Sequence, residues 1–175
     1  MKLRPPYISS MKIEDNFLDH DKWKELHDYM TSWEFPWFMQ QTLTYGNEDL
    51  EAFGFNHWLT AEEHPIFAHL VEQMESALYA RNVLRVRADM TILNPNGYRH
   101  GWHVDEKEPH WVCIYYVNDS DGNTLLRDPL EGHGYMQVEP KANRLLLFDG
   151  KIEHTGHSPS EHKNRILINA NFSKN

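Results

Sequence analysis

From position 83 to 172 turn residues cut the chain into short apolar runs, two stretches before it carry helical spacing, and no repeat or linker intervenes. These observations predict a mostly β fold with some α: a double-stranded β-helix, a jelly roll of the cupin kind, buttressed by two N-terminal helices. The punctuation lies at 94–97, 118–123, 129–134, 140–143 and Gly150, where Gly, Pro, Asn and Asp gather. Closing such strands into two facing antiparallel sheets leaves a mouth in which ligands collect. The chain's 175 residues suffice for one core and are too few for two. We therefore read 1–175 as a single domain, with core strands at about 83–173.

Taken in order, 7–10 and 11–17 read as short strands leading to Leu18. Asp19 is placed to cap a helix over 20–31, with Trp23, Leu26, Met30 and His27 along its buried stripe. The stretch 33–54, with Pro36 and Gly46, reads as irregular. Its aromatics and those just after it, Trp37, Phe38, Tyr45, Phe53, Phe55 and Trp58, either wall a substrate groove or pad the back of the sheet. Padding is favoured, because large aromatics mostly serve burial. Thr60-Ala61-Glu62-Glu63 offers a capping pattern before a helix over 64–79, with Phe67, Leu70, Val71, Met74 and Leu78 at helical spacing. Over 83–93 the pattern alternates: Leu84, Val86, Ala88, Met90 and Ile92 share one face, Arg85, Arg87 and Asp89 the other, which predicts a half-buried strand.

The chemistry concentrates between Gly101 and Arg165. On an extended strand His103 and Asp105 point to the same face, since successive residues alternate sides. Two histidines and one carboxylate is the ligand set of non-haem Fe(II) centres, filling three positions and leaving three open. His154 is the candidate third ligand, delivered by the apolar run Leu145-Leu146-Leu147-Phe148 and an Asp-Gly turn, with His157 its rival. Arg165 follows His154 by eleven positions (165 − 154) at the head of another apolar strand, and a guanidinium there can grip a carboxylate through two parallel hydrogen bonds. His100 and His110 flank the first pair and are read as solvated loop residues rather than substrate contacts. Arg99 and Arg127 could meet an anionic group, although solvation is the ordinary role of a lone surface arginine.

These pieces, His103-Val104-Asp105, the run 113–118 (Cys-Ile-Tyr-Tyr-Val-Asn), the run 138–148, and His154 with Arg165, together resemble the catalytic core of the Fe(II)- and 2-oxoglutarate-dependent oxygenases, prolyl 4-hydroxylase branch, over about 86–172. The resemblance implies iron on His103, Asp105 and His154, and the distal carboxylate of 2-oxoglutarate on Arg165 and Tyr116. It further implies Ile114 as a wall of that pocket and Leu126 as its looser cap. The cofactors it implies are Fe(II), 2-oxoglutarate as co-substrate and O2, with ascorbate as a companion reductant. The implied activity is hydroxylation of an unactivated C–H, of a prolyl residue in a peptide or protein, or of a small molecule such as a free amino acid. Asn94, where relatives carry a tyrosine, and a loop after His154 longer by two residues depart from the pattern. A different class, a cupin-like module that holds metal or ligand without turnover, has no use for Arg165.

Charge and cysteine usage narrow the partners. A net charge of −9 and no basic stripe argue against nucleic acid, whose phosphates call for clustered Lys and Arg. The single Cys113 excludes a disulfide within the chain, and no apolar run reaches the ~18 residues of a membrane span, so a cytoplasmic protein is expected. No membrane partner is anticipated, and the sequence sets no oligomeric state.

Overall fold

Alternation along each strand decides which partner each side chain meets, and two packed clusters result. The structure is a computed structural model that describes residues 11–43, 50–60, 62–79, 82–127 and 134–174. Its elements are β1 (Met11–Asp15), α1 (His20–Thr31), β2 (Phe38–Gln40), a 3-10 turn (Leu50–Ala52), β3 (Gly54–Trp58), α2 (Pro65–Leu78), β4 (Val83–Ile92), β5 (His110–Tyr116), β6 (Thr124–Arg127), β7 (Tyr135–Val138), β8 (Arg144–Asp149), β9 (His154–Gly156) and β10 (Asn164–Ser173). A seven-stranded sheet runs β1-β8-β5-β10-β4-β3-β2, and a three-stranded sheet runs β7-β6-β9. Among the described residues every strand pairing is antiparallel. This is the predicted mostly β architecture of two sheets.

On the back of the large sheet, Cys113, Tyr115, Leu145, Leu147, Ile166, Ile168, Ala170 and Phe172 pack with Leu26 and Met30 of α1 and with Ile66, Phe67, Leu70 and Met74 of α2. The alternate residues Val112, Ile114, Tyr116, Leu146, Phe148 and Leu167 turn the other way and meet Leu126 and Val138 of the small sheet. Strands buried on both faces read as continuous apolar runs, as β5 and β8 do.

The helices are tied on by specific hydrogen bonds. Trp23 Nε1 donates to Val117 O at 3.0 Å, and Asn143, in the left-handed region at φ 61, accepts from Leu18 N at 2.9 Å and from Tyr115 Oη at 2.8 Å on its Oδ1. Asp19 precedes α1 but makes no side-chain cap hydrogen bond. The second helix begins at Pro65, with the Nδ1 of His64 accepting from Ile66 N. The Thr60 pattern does not cap it. Glu63 instead turns back to accept from Thr60 N at 2.9 Å, before the helix begins at Pro65 with His64 as its cap, so the bond lies outside the helix.

Two expectations change. The charged face of β4 points away from the helices and into the space under the small sheet, so Arg87 and Asp89 line a pocket rather than meet bulk water. Among the aromatics, Trp37 packs on the back cluster as padding, whereas Trp58 is 60% exposed; Tyr45, the strand 7–10 and most of the turn 129–134 lie outside the described residues. Among the described residues no helix is long and apolar enough to cross a membrane.

Candidate metal centre

The backbone builds the centre before any side chain does. His103 N donates to His154 O at 3.0 Å and His154 N to His103 O at 2.9 Å, an antiparallel bridge that carries the segment before Asp105 alongside β9. The two imidazoles therefore lie 4.5 Å apart, centroid to centroid. Asp105 lies two residues beyond His103 in a bend, not on the extended strand the sequence suggested, and brings Oδ1 to 3.6 Å from His103 Nε2 and 3.8 Å from His154 Nε2. Among the described residues this is the one group of three such side chains with ligand atoms all within 4.8 Å of one another.

Their orientation suits a cation. His103 Nδ1 faces Gly101 O at 3.0 Å and His154 Nδ1 faces Ile152 O at 3.3 Å, so a proton on each Nδ1 leaves each Nε2 lone pair aimed at the centre. Burial holds His154 neutral, with its pKa pushed down to about 4. Asp105 Oδ2 accepts from Asn169 Nδ2 at 3.0 Å and Asn171 Nδ2 at 2.9 Å, while Arg85 Nη2 stands 3.0 Å from Oδ1. Burial alone would raise the Asp105 carboxyl, but His154, Arg85 and the two amides outweigh it and hold the group well below the usual carboxylate range.

Arg165 enters the same pocket from β10. Its Nη2 donates to Thr124 Oγ1 at 2.7 Å, and Tyr116 Oη donates to the same oxygen at 2.6 Å, while Arg165 Nε, buried, has no hydrogen-bond partner. Two glycines make room: a Cβ on Gly156 would sit 3.1 Å from Arg165 Nη1, and one on Gly122 would meet His157 O at 2.6 Å and Arg165 Cδ at 2.9 Å. The pocket leaves about 70 Å³ open to the centre of a water molecule, and its walls include His103, His154, Ile114, Thr124, Leu167 and Arg165. Leu126, register partner of His154, lies in the cluster between the sheets rather than on the pocket wall.

The longer loop after His154 is organised around Asp121. Its carboxylate accepts from Ser160 N at 2.8 Å, Ser160 Oγ at 2.7 Å, Glu161 N at 3.0 Å and His162 N at 3.0 Å. His162 Nδ1 adds a contact at 2.8 Å. Asn94, at the other departure from the pattern, donates to Glu51 Oε1 at 2.9 Å.

The sequence reading needs two corrections here. His100 and His110 are not solvated: they are 5% and 1% exposed, His100 lines the pocket with both ring nitrogens unpartnered, and burial drives its pKa down to about 4. His157 stays outside the triad, its backbone paired with Arg99. Arg127 pairs with Glu153 at 3.2 Å and lies 4.3 Å over the Trp102 ring. Thr124, Asn169, Asn171 and the β4 face were missed, although the period of two that places Arg165 inward also places Asn169 and Asn171 inward.

The fold is the one found in 2-oxoglutarate/Fe(II) oxygenases. No protein-family model and no curated protein matches this sequence. Among solved structures, a prolyl hydroxylase from Trichoplax adhaerens, in complex with a hypoxia-inducible-factor oxygen-degradation-domain peptide fragment, is similar at TM-score 0.71 and 15% identity, over 94% of this chain and 83% of that one. A 2-oxoglutarate/Fe(II) oxygenase-family oxidoreductase from Burkholderia pseudomallei is similar at TM-score 0.73 and 10% identity, over 95% and 86% of the two chains. The epimerase SnoN, in complex with Fe3+, α-ketoglutarate and nogalamycin RO, is similar at TM-score 0.68 and 10% identity, over 94% and 78%.

Proposed function

We propose that this chain is a 2-oxoglutarate- and Fe(II)-dependent dioxygenase that hydroxylates an unactivated C–H bond. One observation carries the reading: a buried arginine with a free Nε lines the same pocket as His103 and His154, the two histidines of the His-Asp-His set. A metal-storing module gains nothing from a buried guanidinium there, whereas a dicarboxylate spanning cation and guanidinium uses both ends.

His103, Asp105 and His154 would hold the metal through two Nε2 atoms and Oδ1, with Asn169 and Asn171 keeping Oδ2 turned away. Arg165 would hold the distal carboxylate of 2-oxoglutarate, with Tyr116 and Thr124 supporting it, and Ile114 and Leu167 would keep the walls of that pocket apolar. Iron, O2 and 2-oxoglutarate together supply the oxidising power, releasing succinate and CO2. Ascorbate would serve as an accessory reductant, and a cytoplasmic setting suits the buried, unpaired Cys113.

A prolyl residue in a peptide is the substrate supported by the resemblance of 113–118 and 138–148 to prolyl hydroxylases. A small-molecule substrate is favoured by a separate observation, the charged Arg87 and Asp89 on the pocket wall. The decisive experiment adds Fe(II) and 2-oxoglutarate without oxygen and follows the weak visible charge-transfer band. The wild-type chain should show the band, His103→Ala should lose it, and Arg165→Ala should need at least tenfold more 2-oxoglutarate. A folded His103→Ala protein with an undiminished band would overturn the assignment.

A further inference from the structure

The inner face of β4 carries Arg85, Arg87, Asp89 and Thr91, and the last three have no part in the centre described so far. Arg85 is occupied by Asp105, and the co-substrate tail is assigned to Arg165. Arg87 and Asp89 remain, largely buried, with 18% and 12% of their side chains exposed, on the wall shared with His103 and His154.

They form an ion pair on the pocket wall, Arg87 Nε lying 2.8 Å from Asp89 Oδ1. Around the pair, Thr91 Oγ1 and Asn169 Oδ1 on the same wall make no hydrogen bond. Buried polar groups are ordinarily hydrogen-bonded, so unpartnered atoms on a pocket wall mark a surface built to meet a ligand.

The signs of the charges say which ligand. A purely anionic group would match Arg87 and leave Asp89 opposed, while a purely cationic one would do the reverse. An interior residue of a peptide, whose backbone is neutral, would leave both unanswered. A carboxylate and an ammonium on one carbon answer both at once. The neighbouring strand adds a platform: Trp58 pairs in register with Arg87, shares its face of the sheet, and is exposed at the rim.

We propose that this pocket takes a free amino acid, its α-carboxylate on Arg87 and its α-ammonium on Asp89, with its side chain reaching toward the centre. The proposal rests on the oxygenase reading and names its substrate class. The reaction is then R–H + 2-oxoglutarate + O2 → R–OH + succinate + CO2, which balances with no further reactant.

The test loads the full chain with Mn(II) and 2-oxoglutarate under argon and titrates it calorimetrically with each of the twenty free amino acids. The best binder is then repeated as its N-acetyl and carboxamide derivatives. At least one free amino acid should bind, and each block should weaken binding tenfold or more. The N-acetyl penalty should vanish in Asp89→Asn and the carboxamide penalty in Arg87→Gln, a pattern that loss of folding cannot imitate. No binding by any of the twenty, or equal binding of blocked forms, overturns the proposal. The same titration without metal or 2-oxoglutarate separates the two claims. Amino-acid binding there, with the same two penalties, supports the subsite even if 2-oxoglutarate fails to bind and the oxygenase reading falls.

Discussion

Asp105 shows how much of the proposed metal centre would be made by residues that touch no metal. A carboxylate offers two oxygens and a cation needs one, so the other must be held or the ligand rotates. Asn169 and Asn171 hold it, both donating to Oδ2 from the same face of β10. Outer partners of this kind typically contribute 10- to 100-fold to metal affinity, because they fix the ligand before binding. Asn171→Ala should therefore weaken Mn(II) binding by about that factor in calorimetry, while the protein stays folded by far-UV circular dichroism. Unchanged affinity would mean that Arg85 and Asn169 suffice to orient the carboxylate. The two asparagines were open to inference from the sequence, lying four and six places after Arg165 on one strand face. They escaped because polar side chains alternating with apolar ones ordinarily mark a solvated face, the same habit that misread Arg87 and Asp89.

Elements are where the sequence was most readable and where its silence is most instructive. Helical spacing gave a first helix over 20–31, and α1 is His20–Thr31; alternation gave a strand over 83–93, and β4 is Val83–Ile92. Both patterns are local, and local patterns survive into the fold. The connection between β9 and β10 is different, because its shape is set by Asp121, far away in the chain. Five contacts from Ser160, Glu161 and His162 converge on that carboxylate, which fixes how the chain re-enters β10 and so where Arg165 falls. Asp121→Ala should loosen the loop without touching the proposed metal ligands. The expected result is a several-fold rise in the 2-oxoglutarate concentration needed to develop the anaerobic charge-transfer band, at unaltered Mn(II) affinity. A loss of both together would place Asp121 in general folding rather than in the setting of Arg165.

At the scale of the whole molecule the large sheet divides stability from chemistry. Its back face, under α1 and α2, is a continuous apolar cluster, while its front face carries Arg165, Asn169, Asn171, Arg85 and Asp89 among a smaller set of apolar residues. Charged groups in a pocket cost folding energy, and the back cluster is large enough to offset them. The division is testable by substitution on the far side. Leu70, fully buried on α2, touches the back cluster alone, so Leu70→Ala should cost about 2–5 kcal/mol of stability. With a urea dependence of ~2 kcal/mol per molar, that lowers the unfolding midpoint by roughly 1–2.5 M. Below the transition the same variant should bind Mn(II) as tightly as the parent, because the sheet between transmits no contact from α2 to the triad. Should Leu70→Ala weaken the metal instead, the two faces would be coupled through β10, and the sheet would be part of the centre rather than its wall.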